Sequence, residues 1–212
     1  MNHHSHSSLS QALAQCPLIA ILRGVTPEEA GAIGHRLVAL GFAIIEVPLN
    51  SPQPLQSIAQ LAAEHPRHLI GAGTVTRVEQ VHQVRSAGGR MIVSPHWDPA
   101  IVKAALQENM VCIPGVTTPT EAMAAWQAGA HGLKLFPAEL ISPAALKALR
   151  AVLPPELPLL PVGGIDCASL PAYWHAGADG FGIGSALYTP GRSPEDVAQA
   201  AVEFIAAWRK LL

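Results

Sequence analysis

The sequence predicts an α/β fold, a (β/α)8 barrel of the TIM type, in a single domain with a short N-terminal extension. Three observations carry this prediction. Short β-branched or Leu-rich runs alternate with Ala-rich amphipathic stretches along the whole chain. Eight such units begin about 20 to 25 residues apart. Each apolar run ends in Gly, Pro or a polar residue. Alternating β and α elements imply parallel strands joined by right-handed crossovers, and eight of them in one domain imply closure into a barrel. An open doubly wound sheet is the alternative. No Gly-x-Gly-x-x-Gly follows the first strand, and the even spacing favours the barrel.

The elements follow in order. Residues 1–8 are rich in His and Ser and read as a flexible tail, without the basic and apolar regions of a signal peptide. His3, His4 and His6 there allow adventitious metal binding. Residues 9–212 form the barrel domain. Its strands are expected at Leu18–Arg23, Ala43–Leu49, His68–Thr74, Met91–Pro95, Val111–Gly115, Gly132–Pro137, Leu157–Gly163 and Gly180–Ser185. Helices fill the gaps at Pro27–Leu40, Pro54–Glu64, Arg77–Ser86, Pro99–Gln107, Pro119–Gln127, Pro143–Val152 and Ala168–His175, and a last one runs from Pro194 to Leu212. Pro27, Pro119 and Pro143 open their helices, where the missing N–H costs no helical bond. Gly41, Gly88, Gly129 and Gly177 stand where helices end, as left-handed caps do.

Composition narrows the function classes. Half of the 212 residues are hydrophobic and 13% are charged, so partner subunits are expected to cover part of the surface. The net charge of −2 and the lack of basic runs argue against nucleic acid. Cys16, Cys112 and Cys167 show no metal or disulfide spacing and suit a reducing cytoplasm. No apolar stretch is long enough to span a membrane without interruption.

Two charged residues stand out. Lys134 lies in the apolar strand run Gly132–Pro137, whereas Lys103, Lys147 and Lys210 fall in amphipathic helices. Glu46 is the acidic residue of the run Ala43–Leu49. Desolvation disfavours a buried ammonium, and an unprotonated amine is a nucleophile suited to Schiff bases with ketones. A buried carboxylate nearby suits proton transfer. A structural Lys–Glu ion pair is the plain alternative. Side chains alternate along a strand, so both charges can point into the barrel, near the C-terminal strand ends where such folds keep their chemistry.

The last two strands point to phosphate. Val162-Gly163-Gly164-Ile165-Asp166 ends strand seven and Gly182-Ile183-Gly184-Ser185 ends strand eight. Barrels bind phosphate between these loops, on backbone N–H groups. Asp166 reads as a cap for the next helix. Arg23, ending strand one, is a further candidate anion ligand. His96 and Trp97 follow strand four at the mouth, where they read as rim and packing residues. Cys112 reads as a buried, inert thiol.

These motifs, with Ile19-Ala20-Ile21-Leu22-Arg23-Gly24, Ile45-Glu46-Val47-Pro48-Leu49-Asn50-Ser51, Ile70-Gly71-Ala72-Gly73-Thr74-Val75, Val93-Ser94-Pro95, Cys112-Ile113-Pro114-Gly115 and Leu133-Lys134-Leu135-Phe136-Pro137-Ala138, resemble the class I 2-keto-3-deoxy-6-phosphogluconate/6-phosphogalactonate aldolases. The resemblance spans residues 17–212. It implies an aldolase without metal or other cofactor that releases pyruvate and D-glyceraldehyde 3-phosphate, and a cytoplasmic homotrimer. It implies Lys134 as the Schiff-base lysine and Glu46 as the general acid/base. Thr74 and Arg23 would hold the anionic substrate, and Pro95 and Phe136 would shape the pocket around the imine. Gly163, Gly164, Gly184 and Ser185 would cradle the phosphate. Val162 and Asn50 stand where phosphogluconate-type members carry Thr and Arg, which favours the galactonate epimer; the gluconate epimer, or both, is the alternative. Rival readings are a phosphate-binding isomerase or epimerase, a metal-dependent aldolase drawing on Glu46 and His96, and a non-catalytic sugar-acid sensor.

Overall fold

A computed structural model describes the backbone of residues 3–212 and the side chains of residues 8–212. Helix α1 (His3–Gln15) leads into strand β1 (Leu18–Ile21). There follow α2 (Pro27–Ala39), β2 (Ile44–Pro48), α3 (Pro54–Glu64), β3 (Leu69–Gly73), α4 (Val78–Ser86), β4 (Met91–Val93) and α5 (Pro99–Gln107). The second half runs β5 (Val111–Ile113), β6 (Gly115–Val116), α6 (Pro119–Gln127), β7 (Leu133–Leu135), a 3-10 turn at Ala138–Leu140, α7 (Pro143–Arg150), β8 (Leu159–Pro161), α8 (Leu170–His175), β9 (Phe181–Ile183) and α9 (Pro194–Arg209). Seven of the eight strands that the alternating pattern predicts are present, trimmed by one to a few residues at their ends, and the remaining one, Val111–Gly115, is divided.

The fold is α/β with a curled parallel sheet. One set of strands pairs in the order β5-β4-β3-β2-β1-β9 and a second in the order β6-β7-β8. A parallel bridge between Val162 and Gly182 links the two sets on the β8–β9 side. On the other side a proline explains the break. The run Val111–Gly115, expected as one strand, is split at Pro114, which has no N–H for the ladder. Before the split, β5 pairs with β4; after it, β6 pairs with β7. The Pro114 carbonyl still accepts from the Lys134 N–H at 2.9 Å.

Strand alternation sorts side chains into two layers. Ala20, Ile45, Ile70, Ile92, Cys112, Leu133 and Leu135 face outward into the helix-covered core. Ile19, Ile21, Ile44, Leu69, Met91, Val93, Val111, Ile113 and Leu160 face inward and pack on one another. Cys112 is buried, and desolvation pushes its thiol up to about 12, as an inert packing group.

The stretch read from sequence as a tail, residues 1–8, contains the start of a helix. Helix α1 begins inside it, at His3. The side chains of residues 1–7 lie outside the described ones, and the metal reading of His3, His4 and His6 with them. Leu9, Ala12 and Leu13 have the i, i+3, i+4 spacing of one helix face. All three join the inward cluster with Ile19, Ile44 and Leu69, so α1 plugs the sheet at the N-terminal ends of its strands. The polar His/Ser composition ahead of Leu9 hid that face.

The plug makes a stability prediction. Leu9 is fully buried against the inward layer. Leu9→Ala leaves a cavity there and is expected to lower the unfolding free energy by about 2–5 kcal/mol. Urea denaturation with an unchanged m-value checks it; a loss below about 0.5 kcal/mol would show that α1 does not hold the base of the sheet.

Candidate active site

The inward layer is apolar until it reaches the C-terminal strand ends. There Glu46 on β2 and Lys134 on β7 are 2% and 3% exposed. Inward-facing Ile44 and outward-facing Ile45 and Val47 fix the phase of β2, so Glu46 faces inward. Leu133 and Leu135 do the same for Lys134. The Lys134 Nζ stands 4.7 Å from the centroid of the half-buried Phe136 ring, within cation–π range.

The two charges are coupled without touching. Ion pairs within 4.0 Å join Arg36 to Glu195 and Arg150 to Asp179, His82 contacts Glu108, and Lys134–Glu46 is not among these contacts. Glu46 Oε1 is buried with no hydrogen-bond partner. Burial raises the Glu46 pKa, and the Lys134 and Arg23 charges pull it back only in part. This arrangement differs from a structural ion pair, in which the carboxylate would be directly satisfied by the ammonium.

Gly73 makes room for that carboxylate. A Cβ at residue 73 would stand 1.7 Å from Glu46 Oε1 and 2.4 Å from its Cδ. The next residue, Thr74, has φ +58°, a left-handed conformation that a β-branched side chain rarely adopts. Strain of this kind gathers at ligand-binding positions. Arg23 Nη1 donates to Asn50 Oδ1 at 2.7 Å and to Thr74 Oγ1 at 3.4 Å. Thr74 and Asn50 thus orient the guanidinium at the mouth. The backbone N–H of Gly24 donates to Ser51 Oγ at 2.9 Å and ties the same two loops.

A cleft of about 460 Å³ opens over this end of the sheet. Arg23, Lys134, Phe136, Val162, Gly163, Gly164, Gly184 and Ser185 all line it. Glu46, Thr74 and Pro95 do not. Glu46 lies beneath, and Thr74 reaches the cleft through Arg23. Pro95 backs onto Gly115, the neighbour of Lys134 across β6 and β7, with its carbonyl carbon 2.5 Å from where a Gly115 Cβ would be. His96 is exposed outside the cleft, and Trp97 packs on the outer core. Val162 presents only methyl groups to the cleft, resting on Gly182.

Sequence reasoning missed Ile21, Glu139 and Ala186 in the lining, and the hold of Asn50 on Arg23. Glu139 follows Lys134 by five residues, the one signal that could have drawn it in. Asp166 also lines the cleft. Its Oδ1 accepts from the Ser169 N–H at 2.8 Å, capping the turn before α8 and lowering its pKa. Among the described residues, no group of three or more His, Cys, Asp or Glu is placed to hold a metal ion, and no helix is long and apolar enough to cross a membrane. A second cleft of about 470 Å³, between α1 and the N-terminal strand ends, contains neither Lys134 nor Glu46.

Comparison with known proteins places the chain among aldolases. The family described as "Aldolase: KDPG and KHG aldolase" matches residues 9–201. A probable 2-dehydro-3-deoxy-6-phosphogalactonate aldolase of Rhizobium meliloti (strain 1021) is 48% identical over 193 residues, covering 91% of each chain. The 2-dehydro-3-deoxy-6-phosphogalactonate aldolase of Escherichia coli (strain K12) is 44% identical over 195 residues, 92% of this chain and 95% of that one. A 2-dehydro-3-deoxy-phosphogluconate aldolase of Dickeya dadantii (strain 3937) is 32% identical over 162 residues, 76% of this chain and 75% of that one. The solved structure described as "Native KDPGal structure" superposes with a TM-score of 0.91 at 42% identity, covering 93% of this chain and 96% of that one.

Two measurements probe the buried carboxylate. Gly73→Ala puts a methyl group onto Glu46 and is expected to cost about 1–3 kcal/mol of stability, seen as a lower urea midpoint. Glu46 ionises near the ordinary carboxylate value when unfolded and above it when folded. Below the ordinary value both states are protonated and burial of the charge costs nothing. As pH rises past that value the unfolded chain ionises first, and stability falls until the folded value is passed. The Tm of Glu46→Gln is therefore expected to exceed wild type near about pH 7.5 and to match it near about pH 4. A gap that widened toward acid would refute the raised pKa.

Proposed function

The chain belongs to the KDPG and KHG aldolase family, and from that premise we propose that it is a Schiff-base aldolase. It cleaves 2-dehydro-3-deoxy-6-phosphogalactonate to pyruvate and D-glyceraldehyde 3-phosphate. The observation that carries the proposal is Lys134, buried in the floor of a cleft and coupled to a second buried charge it does not pair with.

Lys134 Nζ attacks the C2 ketone of the keto acid, and water leaves to give a protonated imine. That cation is an electron sink beside C3. Glu46 takes the C4 hydroxyl proton, directly or through a water, as the C3–C4 bond breaks and its electrons move into the imine. The aldehyde departs with its phosphate. Glu46 returns a proton to C3 of the enamine, and hydrolysis frees pyruvate and the lysine. A carboxylate with a raised pKa can serve both as base and as acid in this cycle. Arg23, oriented by Asn50 and Thr74, holds the keto-acid carboxylate. Gly163, Gly164, Gly184 and Ser185 take the phosphate at the far end. Pro95, behind Gly115, and Phe136 shape the pocket around the imine.

The galactonate epimer is the preferred substrate. The apolar Val162 in the cleft offers no hydroxyl partner to the substrate, and the two phosphogalactonate aldolases are more similar to this chain than the phosphogluconate one is. We read residues 9–212 as one (β/α)8 barrel, closed by the Val162–Gly182 bridge and by the single run that carries β5 and β6. We extend the proposal to a homotrimer. Leu140, beside the cleft, is 73% exposed, and the low charged fraction suits an assembly that covers such groups.

Pyruvate release from the 6-phosphogalactonate and 6-phosphogluconate keto acids, side by side in EDTA, tests the reading. Release is expected to favour the galactonate substrate. Borohydride with pyruvate is expected to label wild type at Lys134 and to leave Lys134→Ala unlabelled, and Glu46→Gln is expected to lose about 10²–10⁴-fold in kcat. Turnover of the gluconate substrate alone would overturn the epimer assignment; unlabelled wild type would overturn the imine.

A further inference from the structure

The glycine-lined end of the cleft, read above as the phosphate site, has no cation of its own in its lining. Its lining there is Gly163, Gly164, Gly184 and Ser185, and the charged neighbours are Glu139 and Asp166. Arg23 is turned toward Asn50 and Thr74. Arg192 stands behind the loop after β9, its guanidinium donating to the Ala186 and Leu187 carbonyls. Asp166 is engaged by Ser169.

Glu139 has no such engagement. It is exposed, and no ion pair or hydrogen bond holds its carboxylate. That carboxylate lies against the glycine loop. A Cβ at Gly163 would stand 2.5 Å from Glu139 Oε2, and one at Gly164 would stand 3.0 Å from Oε1. Both glycines have left-handed φ, +109° and +60°, so the loop is shaped for this close approach. A phosphate on the loop would therefore meet a carboxylate a few ångströms away.

Resting on the aldolase reading above, we propose that Glu139 is a specificity-determining residue that limits how tightly the phosphate end holds an anion. Backbone N–H groups attract the phosphate; the Glu139 carboxylate opposes it. Attraction that is equal for substrate and transition state lowers KM without raising kcat, and the same attraction retains the phosphorylated product. The opposing charge keeps the three-carbon phosphate product and free inorganic phosphate from occupying the site after cleavage. Exposure screens the effect, so it is a modest one and depends on salt.

Glu139→Gln keeps the side-chain length and its contact with the loop while removing the charge; Glu139→Ala is the companion. Both are expected to lower KM for the phosphorylated keto acid by about threefold to tenfold and to strengthen inorganic phosphate binding by a similar factor. Phosphate binding is read as the rise of Tm with phosphate concentration. The KM for pyruvate in C3 deuterium exchange, which does not involve the phosphate end, is expected to stay unchanged, and the variants are expected to converge on wild type at high salt. A raised KM would overturn the proposal and make Glu139 an acceptor for a substrate hydroxyl. An unchanged KM and unchanged phosphate binding would overturn it as well. The Tm arm needs no turnover, so it tests Glu139 even if wild type released no pyruvate, which would defeat the aldolase reading alone.

Discussion

Keeping Glu46 buried without a direct partner is the constraint on which the rest of the site depends. A carboxylate in an apolar layer is expensive to ionise, and here the cost is offset only at a distance, by Lys134 and Arg23. Three features follow from it. Gly73 has no side chain because the carboxylate occupies that space. Ile21, Ile44, Val93 and Ile113 keep the surrounding layer dry and hold the carboxyl proton affinity up. Helix α1 packs Leu9 and Leu13 onto the opposite end of the same apolar layer. A lysine and a carboxylate in direct contact would be a stable structural pair with little to offer a ketone.

The mouth divides its electrostatics between two ends. On the side of β1 to β3, a guanidinium is aimed by a neutral amide and by a threonine in a strained backbone conformation. On the side of β8 and β9, glycine loops offer backbone N–H groups, and the charged side chains present are carboxylates. A ligand with a carboxylate at one end and a phosphate at the other would meet a fixed positive charge first and dipoles second. That asymmetry would orient the proposed sugar-acid substrate with its keto carbon toward Lys134.

The scaffold behind the mouth is held by a few polar ties. Arg150 on α7 donates to the carbonyls of Pro154, Leu157 and Gly177 and pairs with Asp179. Asp179 also accepts from the Leu159 N–H at 2.8 Å. This fastens the loop leading into β8 to the one leading into β9, whose far ends carry the two glycine motifs. The Tyr173 hydroxyl on α8 shares its one O–H between the carbonyls of Ala138 and Ile141, at 2.9 and 3.1 Å, anchoring the turn that bears Glu139.

Periodicity by itself determined the α/β alternation, because a strand must bury alternate residues and a helix one stripe. It also determined the inward phase of Lys134 and Glu46, since Leu133, Leu135, Ile45 and Val47 leave no other face for them. The glycine loops were legible from their place in the unit count. Tertiary structure alone decided the rest. The helical face of Leu9 and Leu13 acquires meaning only when a sheet end is there to be plugged, so a polar composition concealed it. Pro114 divides a strand only because neighbours on its two sides compete for the ladder it cannot complete. Glu139 carries no motif, and the motif that contains Asn50 does not show its hold on Arg23. Their roles arise from which loops the curled sheet brings together, a matter of distance across the mouth that spacing along the chain does not encode.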